Sequence, residues 1–437
     1  MLFLFKVEAK AKEMIIDTDT TQAIFDDFKS ISFSGQATGI YQSSNLDLRI
    51  GDLKNPDGSN LSSKELQDDN HKDARGSFSA TIGIEKKFSD NDFFHVDLQF
   101  ANGSGVDSPL QGGAMLNNDI MEDADNNNDA YLAKAFYERT INLTNSYNMT
   151  FDIGKFGVND FFDVGDENSD QTSQFLNQAV SNNGAFDYVQ DLEGHGYTYG
   201  SRIGVANDII GFDVGFFSAD SHLGNINTKN SLLGALTLTP KFGELEGKYQ
   251  FYFFSNRGEY AAFNSNGDLV SKDVNIGTDN SKINTQRNVD NLTKNGFGLS
   301  ITQAITDKIN IFAKYGKQDD DRDVRHYQDM DESYVIGANF NGSLWSRSHD
   351  QVGIAYEIGR LTGNHRKAHE KGYASFFKRM GIGAENYDDE SVIEAYYKFA
   401  LTNNSHVSLD AQHISNFYYS KKIGNVQSYA VRFTTSF

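Results

Sequence analysis

Few residue groups in this chain have the types and spacing that chemistry requires. "HRKAH" at 365–369 sets His365 and His369 four apart, an interval that on a helix would let both imidazoles hold one metal ion. In a long charged loop the same pair is expected to be solvated. Acidic residues crowd into two other places, "NNDIMEDADNNNDA" at 117–130 and "QDDDRDVRHYQDMDE" at 318–332. The first opens like a calcium loop with Asp123, Asp125 and Asp129. Such a loop needs a turn glycine and a closing carboxylate, and Asn128 and Lys134 occupy those positions instead. A solvated loop is the expectation. The functional alternative is Ca2+ or another divalent cation shared with anionic lipid headgroups.

Covalent chemistry finds no support. HExxH, GxSxG and GxxxxGK[ST] are all missing, and the absence of cysteine removes disulfides, thiolate ligands and a thiol nucleophile. A non-enzyme without a resident cofactor is expected. The net charge of −21 argues against a nucleic-acid partner, because neutralising phosphates takes clustered Lys and Arg.

The stretch "GKFGVNDFFDVGDENSDQTSQFLN" at 154–177 begins as an alternating strand and dissolves into acids, amides and aromatics. Its role depends on the elements around it. Apolar and polar residues alternate with period two along most of the chain, the strand signal. "YNMTFDIGK" sets Met149, Phe151 and Ile153 against Thr150, Asp152 and Gly154; "SYAVRFTTSF" sets Tyr429, Val431 and Phe433 against Ser428, Ala430, Arg432 and Thr434. Sixteen such segments run from 31–43 to 426–437, joined by alternately long and short connections. Short turns on one side and long loops on the other are the mark of an outer-membrane barrel. The chain ends on Phe437 in a strand, like the assembly signal of such barrels.

The expected fold is therefore all-β: a transmembrane antiparallel β-barrel of 16 strands spanning 31–437. Residues 1–30 form an N-terminal segment, with a possible signal remnant in "MLFLF" and a short helix in "TTQAIFDDFKS". Lipid demands that every backbone group be paired and that apolar side chains face outward, so the polar alternates line a wet lumen. A mean hydropathy of −0.53 suits that arrangement. The polar face offers Glu85, Asp97, Asp152, Arg202, Glu246, Lys248, Lys314, Glu357 and Arg432. Trp345, in a short turn, is placed at the water–lipid boundary.

Residues 130–206 resemble the core of the carbohydrate-selective porins, the OprB-type family. There a strand ending in Gly-Lys is followed by an Asp/Asn-Phe-Phe-Asp turn and a Gln-Phe-Leu-Asn segment, matched here by Gly154, Lys155, Asn159, Asp160, Phe161, Phe162, Asp163, Gln174, Phe175, Leu176 and Asn177. "RSHDQVGIAY" at 347–356 and "ESVIEAYYKFALTNNSHVSLDAQHI" at 390–414 are similar to later strands of the family. "SNFYYSKKIGN" replaces the family's Pro-Gly-Gly turn. The resemblance implies a sixteen-stranded outer-membrane channel for passive diffusion of monosaccharides or small oligosaccharides. The residues assigned to its constriction are Lys155, Asp160 and Asp163 from the motif, with Arg202, Glu357 and Arg432 from the wall. Sugars, outer-membrane lipid and lipopolysaccharide are the implied partners; monomer and homotrimer both stay open. A general or ion-selective porin and a structural or adhesive surface barrel are the alternatives.

Overall fold

The computed structural model describes residues 30–45, 74–103, 106, 115–117, 120, 130–144, 146–189, 196–220, 222–268, 270, 292–324, 328–371, 387–421 and 424–437. The N-terminal segment before residue 30 and the calcium candidates Asp123, Asp125 and Asp129 lie outside the described residues.

Period-two alternation produces one antiparallel sheet. Its strands are β1 (Ile31–Ser44), β2 (Ala74–Ser89), β3 (Asp92–Asn102), β4 (Tyr131–Asn142), β5 (Asn148–Gly157), β6 (Tyr197–Ala206), β7 (Ile210–Ser218), β8 (Asn230–Leu238), β9 (Lys241–Phe242), β10 (Leu245–Gly258), β11 (Leu292–Thr306), β12 (Ile309–Gln318), β13 (Glu332–Asn341), β14 (Gln351–Arg360), β15 (Glu390–Ala400), β16 (Ser405–Ser415) and β17 (Val426–Ser436). β9 is a two-residue rung inside the β8–β10 hairpin, so sixteen strands build the wall. Each pairs with its sequence neighbours, and β1 pairs with both β2 and β17, which closes the barrel. Closure removes the free edge that lipid could not satisfy.

Phe437 completes the seam. Its amide donates to the Gly35 carbonyl at 2.9 Å and its carbonyl accepts from the Gly35 amide at 3.2 Å. The Phe437 ring lies over Gly35, in space that a Cβ would fill.

Side chains of residues just ahead of the bend close the short turns. Asn207 Oδ1 accepts from the Ile209 and Ile210 amides at 2.8 Å, Thr306 Oγ1 from Lys308 at 3.1 Å, and Thr402 Oγ1 from Asn404 at 3.2 Å. These are the Asx and hydroxyl turns that Asn and Thr favour. Trp345 sits at this short-turn end, its Nε1 donating to the Tyr397 hydroxyl at 2.8 Å.

Burial follows the expected phase. On β17, Tyr429, Val431 and Phe433 stand exposed on the outside, while Ser428, Ala430, Arg432 and Thr434 are buried inside. Phe212, Val214 and Phe216 on β7 and Phe251 and Phe253 on β10 continue the apolar outer band. The interior departs from a uniformly polar lumen. Phe217, Leu233, Tyr252 and Phe254 point inward and form a core with Phe162, Phe186 and Tyr188 of the long β5–β6 connection. That connection fills part of the barrel.

Candidate functional site

The site is built by residues 158–189, which turn inward from the end of β5. The segment carries enough apolar side chains to pack: Phe162, Phe175, Leu176, Val180 and Phe186 are all buried. Burying one such side chain is worth roughly 1.5–3 kcal/mol, so these residues can hold the segment inside a water-filled barrel. Phe175 meets Phe312 and Tyr396 edge-on at 5.4 and 4.9 Å between ring centroids.

Polar wall residues then fix its path. Asp163, at φ 63°, accepts from Lys314 Nζ at 3.1 Å, the Tyr252 hydroxyl at 2.8 Å and the Asn183 amide at 2.7 Å, with the Tyr188 hydroxyl as a fourth donor. Asn183 is seated over Gly316, where a Cβ would overlap its side-chain amide. Further round, Glu394 takes the backbone amides of Leu176 and Asn177 at 2.5 and 3.1 Å, and Gln412 takes the Asn177 side chain at 3.0 Å. Arg432 donates to the carbonyls of Gln171 and Gln174, the latter at 2.7 Å, and Thr434 donates to Thr172 at 2.7 Å. Asn310 and Asn339 hold Glu167. Charged wall groups thus replace the water that the loop backbone gives up on entering the barrel.

On the arc from β3 to β6, Glu138 and Arg202 are partly exposed, while Asp152 between them is buried. Glu138, Asp152 and Arg202 stand side by side across β4, β5 and β6. Arg202 donates to Asp152 at 2.7 Å and through Nε to Asp213 at 2.8 Å, and its guanidinium lies 4.1 Å from the centre of the Phe161 ring. Lys134 reaches Asp160 at 2.7 Å. Tyr131 and Tyr197 add rings 6.5 Å apart, and Tyr197 donates to Gln99 at 3.0 Å. Donors, acceptors and aromatic faces therefore meet beside the loop, a combination that can exchange hydrogen bonds with hydroxylated solutes.

The six residues expected at the constriction take three kinds of place. Asp160 is exposed and Arg202 is partly exposed. Asp163, Glu357 and Arg432 point inward but are almost wholly buried, which closes them to lumen water. Asp163 and Arg432 anchor the loop, and Glu357 accepts from Ser333 Oγ at 3.4 Å. Lys155 shares the outward phase of Ile153, donates to the Leu132 carbonyl at 2.9 Å and lies 6.0 Å from the Tyr199 ring. Motif position alone does not identify Glu394, Gln412, Tyr252 or Asn183. Glu394 and Gln412 are nevertheless polar alternates on their strands, the phase that marks a lumen residue.

The expectation of solvated histidines in 365–369 is corrected. His365 and His369 lie on the helix Gly363–Glu370 and both are buried. His365 stacks on Phe263 and places its two ring nitrogens 3.0 Å from Asp331 and 3.3 Å from Asp329. Burial opposes the charged ring, but the two aspartates outweigh it and raise the imidazole pKa above its ordinary value. His369 packs instead against Tyr387, Tyr418 and Tyr419. The loop that stands in for the Pro-Gly-Gly turn supplies Phe417, Tyr418 and Tyr419 to the same buried core. Among the described residues, no group of three or more His, Asp or Glu could hold a metal ion, and no helix is long and apolar enough to cross a membrane.

A closed sixteen-stranded barrel, apolar outside and narrowed by an inward loop, defines an outer-membrane-type diffusion channel. The chain belongs to the carbohydrate-selective porin, OprB family, whose sequence model matches residues 87–437. It is an outer-membrane channel for carbohydrate diffusion, and family and fold imply a channel rather than an enzyme. Among solved structures, the high-pH structure of Pseudomonas putida OprB is similar at a TM-score of 0.67 and 16% identity, covering 96% of each chain. The low-pH structure of the same protein gives a TM-score of 0.51 and 14% identity, covering 97% of this chain and 98% of that one. No curated protein sequence matches.

Proposed function

We propose that the protein, integral to the bacterial outer membrane, passes monosaccharides or small oligosaccharides between residues 158–189 and the β3–β6 arc. The observation that carries this reading is the segment itself, held inside the barrel by wall residues from β10 to β17 and packed on Phe217 and Leu233 of β7 and β8. Passage is passive. A sugar leaves bulk water as its hydroxyls exchange hydrogen bonds with side chains such as Gln99, Glu138 and Lys134, while its apolar face slides over Phe161 and the tyrosines. The mixed charges set a transverse field that favours dipolar, hydrogen-bonding solutes over lipophilic ones.

Lipid and lipopolysaccharide surround the outer band in this reading, with divalent cations bridging headgroups to Asp123, Asp125 and Asp129. Swelling of liposomes carrying the purified protein tests the main claim. Glucose is expected to enter faster than a size-matched amino acid; equal rates would remove the sugar preference.

A further inference from the structure

We infer that the inward loop makes the channel a charge filter, which passes neutral and amino sugars and small cations while turning back anionic solutes such as uronates and sugar phosphates. The inference rests on the sugar-channel reading above.

Residues 158–189 carry six carboxylates, Asp160, Asp163, Asp166, Glu167, Asp170 and Asp187, and no Lys, Arg or His. Such a segment must either be neutralised by the wall or present its charge to water, and burial sorts the six. Asp163 is buried on Lys314, Asp187 is buried with the Tyr260 hydroxyl at 2.9 Å, and Glu167 is partly covered by two asparagines. The exposed residues of the segment are Asn159, Asp160, Asp166 and Asp170, so its most water-accessible positions are three aspartates and one amide.

Compensation of these positions is incomplete. Asp160 has Lys134 and Asp166 has Lys248 at 2.9 Å. Asp170 accepts from Thr172 and Ser173 within its own turn; among the described residues no cationic side chain pairs with it inside 4.0 Å, and Arg432 and Lys398 act on it only from farther off. The short-turn mouth repeats the pattern. A cleft of about 580 Å³ is bordered by Asp166, Glu167, Asp208 and Glu246 against Lys241 and Lys248. Both lysines are already taken, Lys241 by Glu246 at 2.6 Å and Lys248 by Asp166.

Fixed charges in a narrow, low-dielectric channel are screened less than on an open surface. The Debye length of about 10 Å at 0.1 M salt is long enough for the loop to act across the remaining passage. A lumen lined by unbalanced carboxylates concentrates cations and repels anions.

The test uses the full chain in planar bilayers under a KCl gradient, together with liposome swelling in glucose, glucosamine and galacturonate at low salt. A reversal potential of K⁺-preferring sign is expected, with galacturonate entering several-fold more slowly than glucose or glucosamine. Asp166→Asn combined with Asp170→Asn should lower the K⁺/Cl⁻ permeability ratio by about threefold. The wild-type readings decide the matter even if that variant fails to assemble. Glucose swelling with Cl⁻ preference, or with galacturonate as fast as glucose, overturns the filter alone. Loss of both current and glucose swelling defeats the sugar-channel reading and the filter with it.

Discussion

Asp163→Ala is the sharpest perturbation of the loop. The side chain is buried and receives one ammonium, two phenol hydroxyls and one backbone amide. Removing one member of a buried ion pair costs about 3–5 kcal/mol. Orphaned donors add about 1–3 kcal/mol each, and the Tyr252 hydroxyl is one of them because Asn183 Nδ2 only donates to it, whereas Lys314 keeps the Ser181 carbonyl at 2.9 Å. A net loss of roughly 5 kcal/mol is comparable with the ~5.5 kcal/mol that inverts a 99:1 two-state population. The backbone ladders of the wall do not involve Asp163, so the barrel should survive while this end of the loop lifts. Single-channel recording is expected to show a higher mean conductance with flickering substates, and swelling should be faster for larger sugars. Asp163→Asn keeps an acceptor and a residue that tolerates positive φ, and should fall between the two. A properly assembled Asp163→Ala barrel with unchanged conductance and noise would refute the reasoning.

Three further outcomes follow from the geometry. Arg202→Ala leaves Asp152 and Asp213 without their shared guanidinium and bares Phe161, so half-saturation of glucose block in single-channel current should rise severalfold. His365 has a raised folded pKa, so its contribution is fully present below the unfolded value near 6.5 and is lost as pH climbs through the folded one. Hydrogen exchange in 363–370 should therefore speed up as pH rises, beyond the intrinsic base catalysis, and His365→Ala should abolish that excess. Deleting Phe437 removes two backbone hydrogen bonds at the seam, and the barrel should melt at lower temperature in a heat-modifiability gel.

Much of the fold was legible because lipid and lumen impose opposite solvents on alternate residues. "SYAVRFTTSF" already separates Tyr429, Val431 and Phe433 from Arg432 and Thr434, and the burial of β17 repeats that division. The inward fold of 154–177 was foreshadowed by Phe161, Phe162, Phe175 and Leu176 in an otherwise polar stretch. Partner choice was less accessible. Asp163 meets Lys314 across 151 residues of sequence, a pairing that no local pattern encodes. Lys155 shows two signals in conflict: the motif points it at the lumen, strand phase puts it with Ile153, and the structure follows the phase. The histidines misled because a charged loop looks solvated until Asp329, Asp331 and Phe263 arrive from other loops to cover it.

The most direct test of the account is chemical labelling of the loop from inside the lumen. The chain has no cysteine, so Asp170→Cys introduces a unique thiol at an exposed position on the inward segment. Reaction with a bulky water-soluble thiol reagent during single-channel recording is predicted to cut the current in discrete steps and to slow glucose entry in parallel. Complete labelling with neither current nor glucose flux altered would contradict the claim that this loop bounds the sugar path.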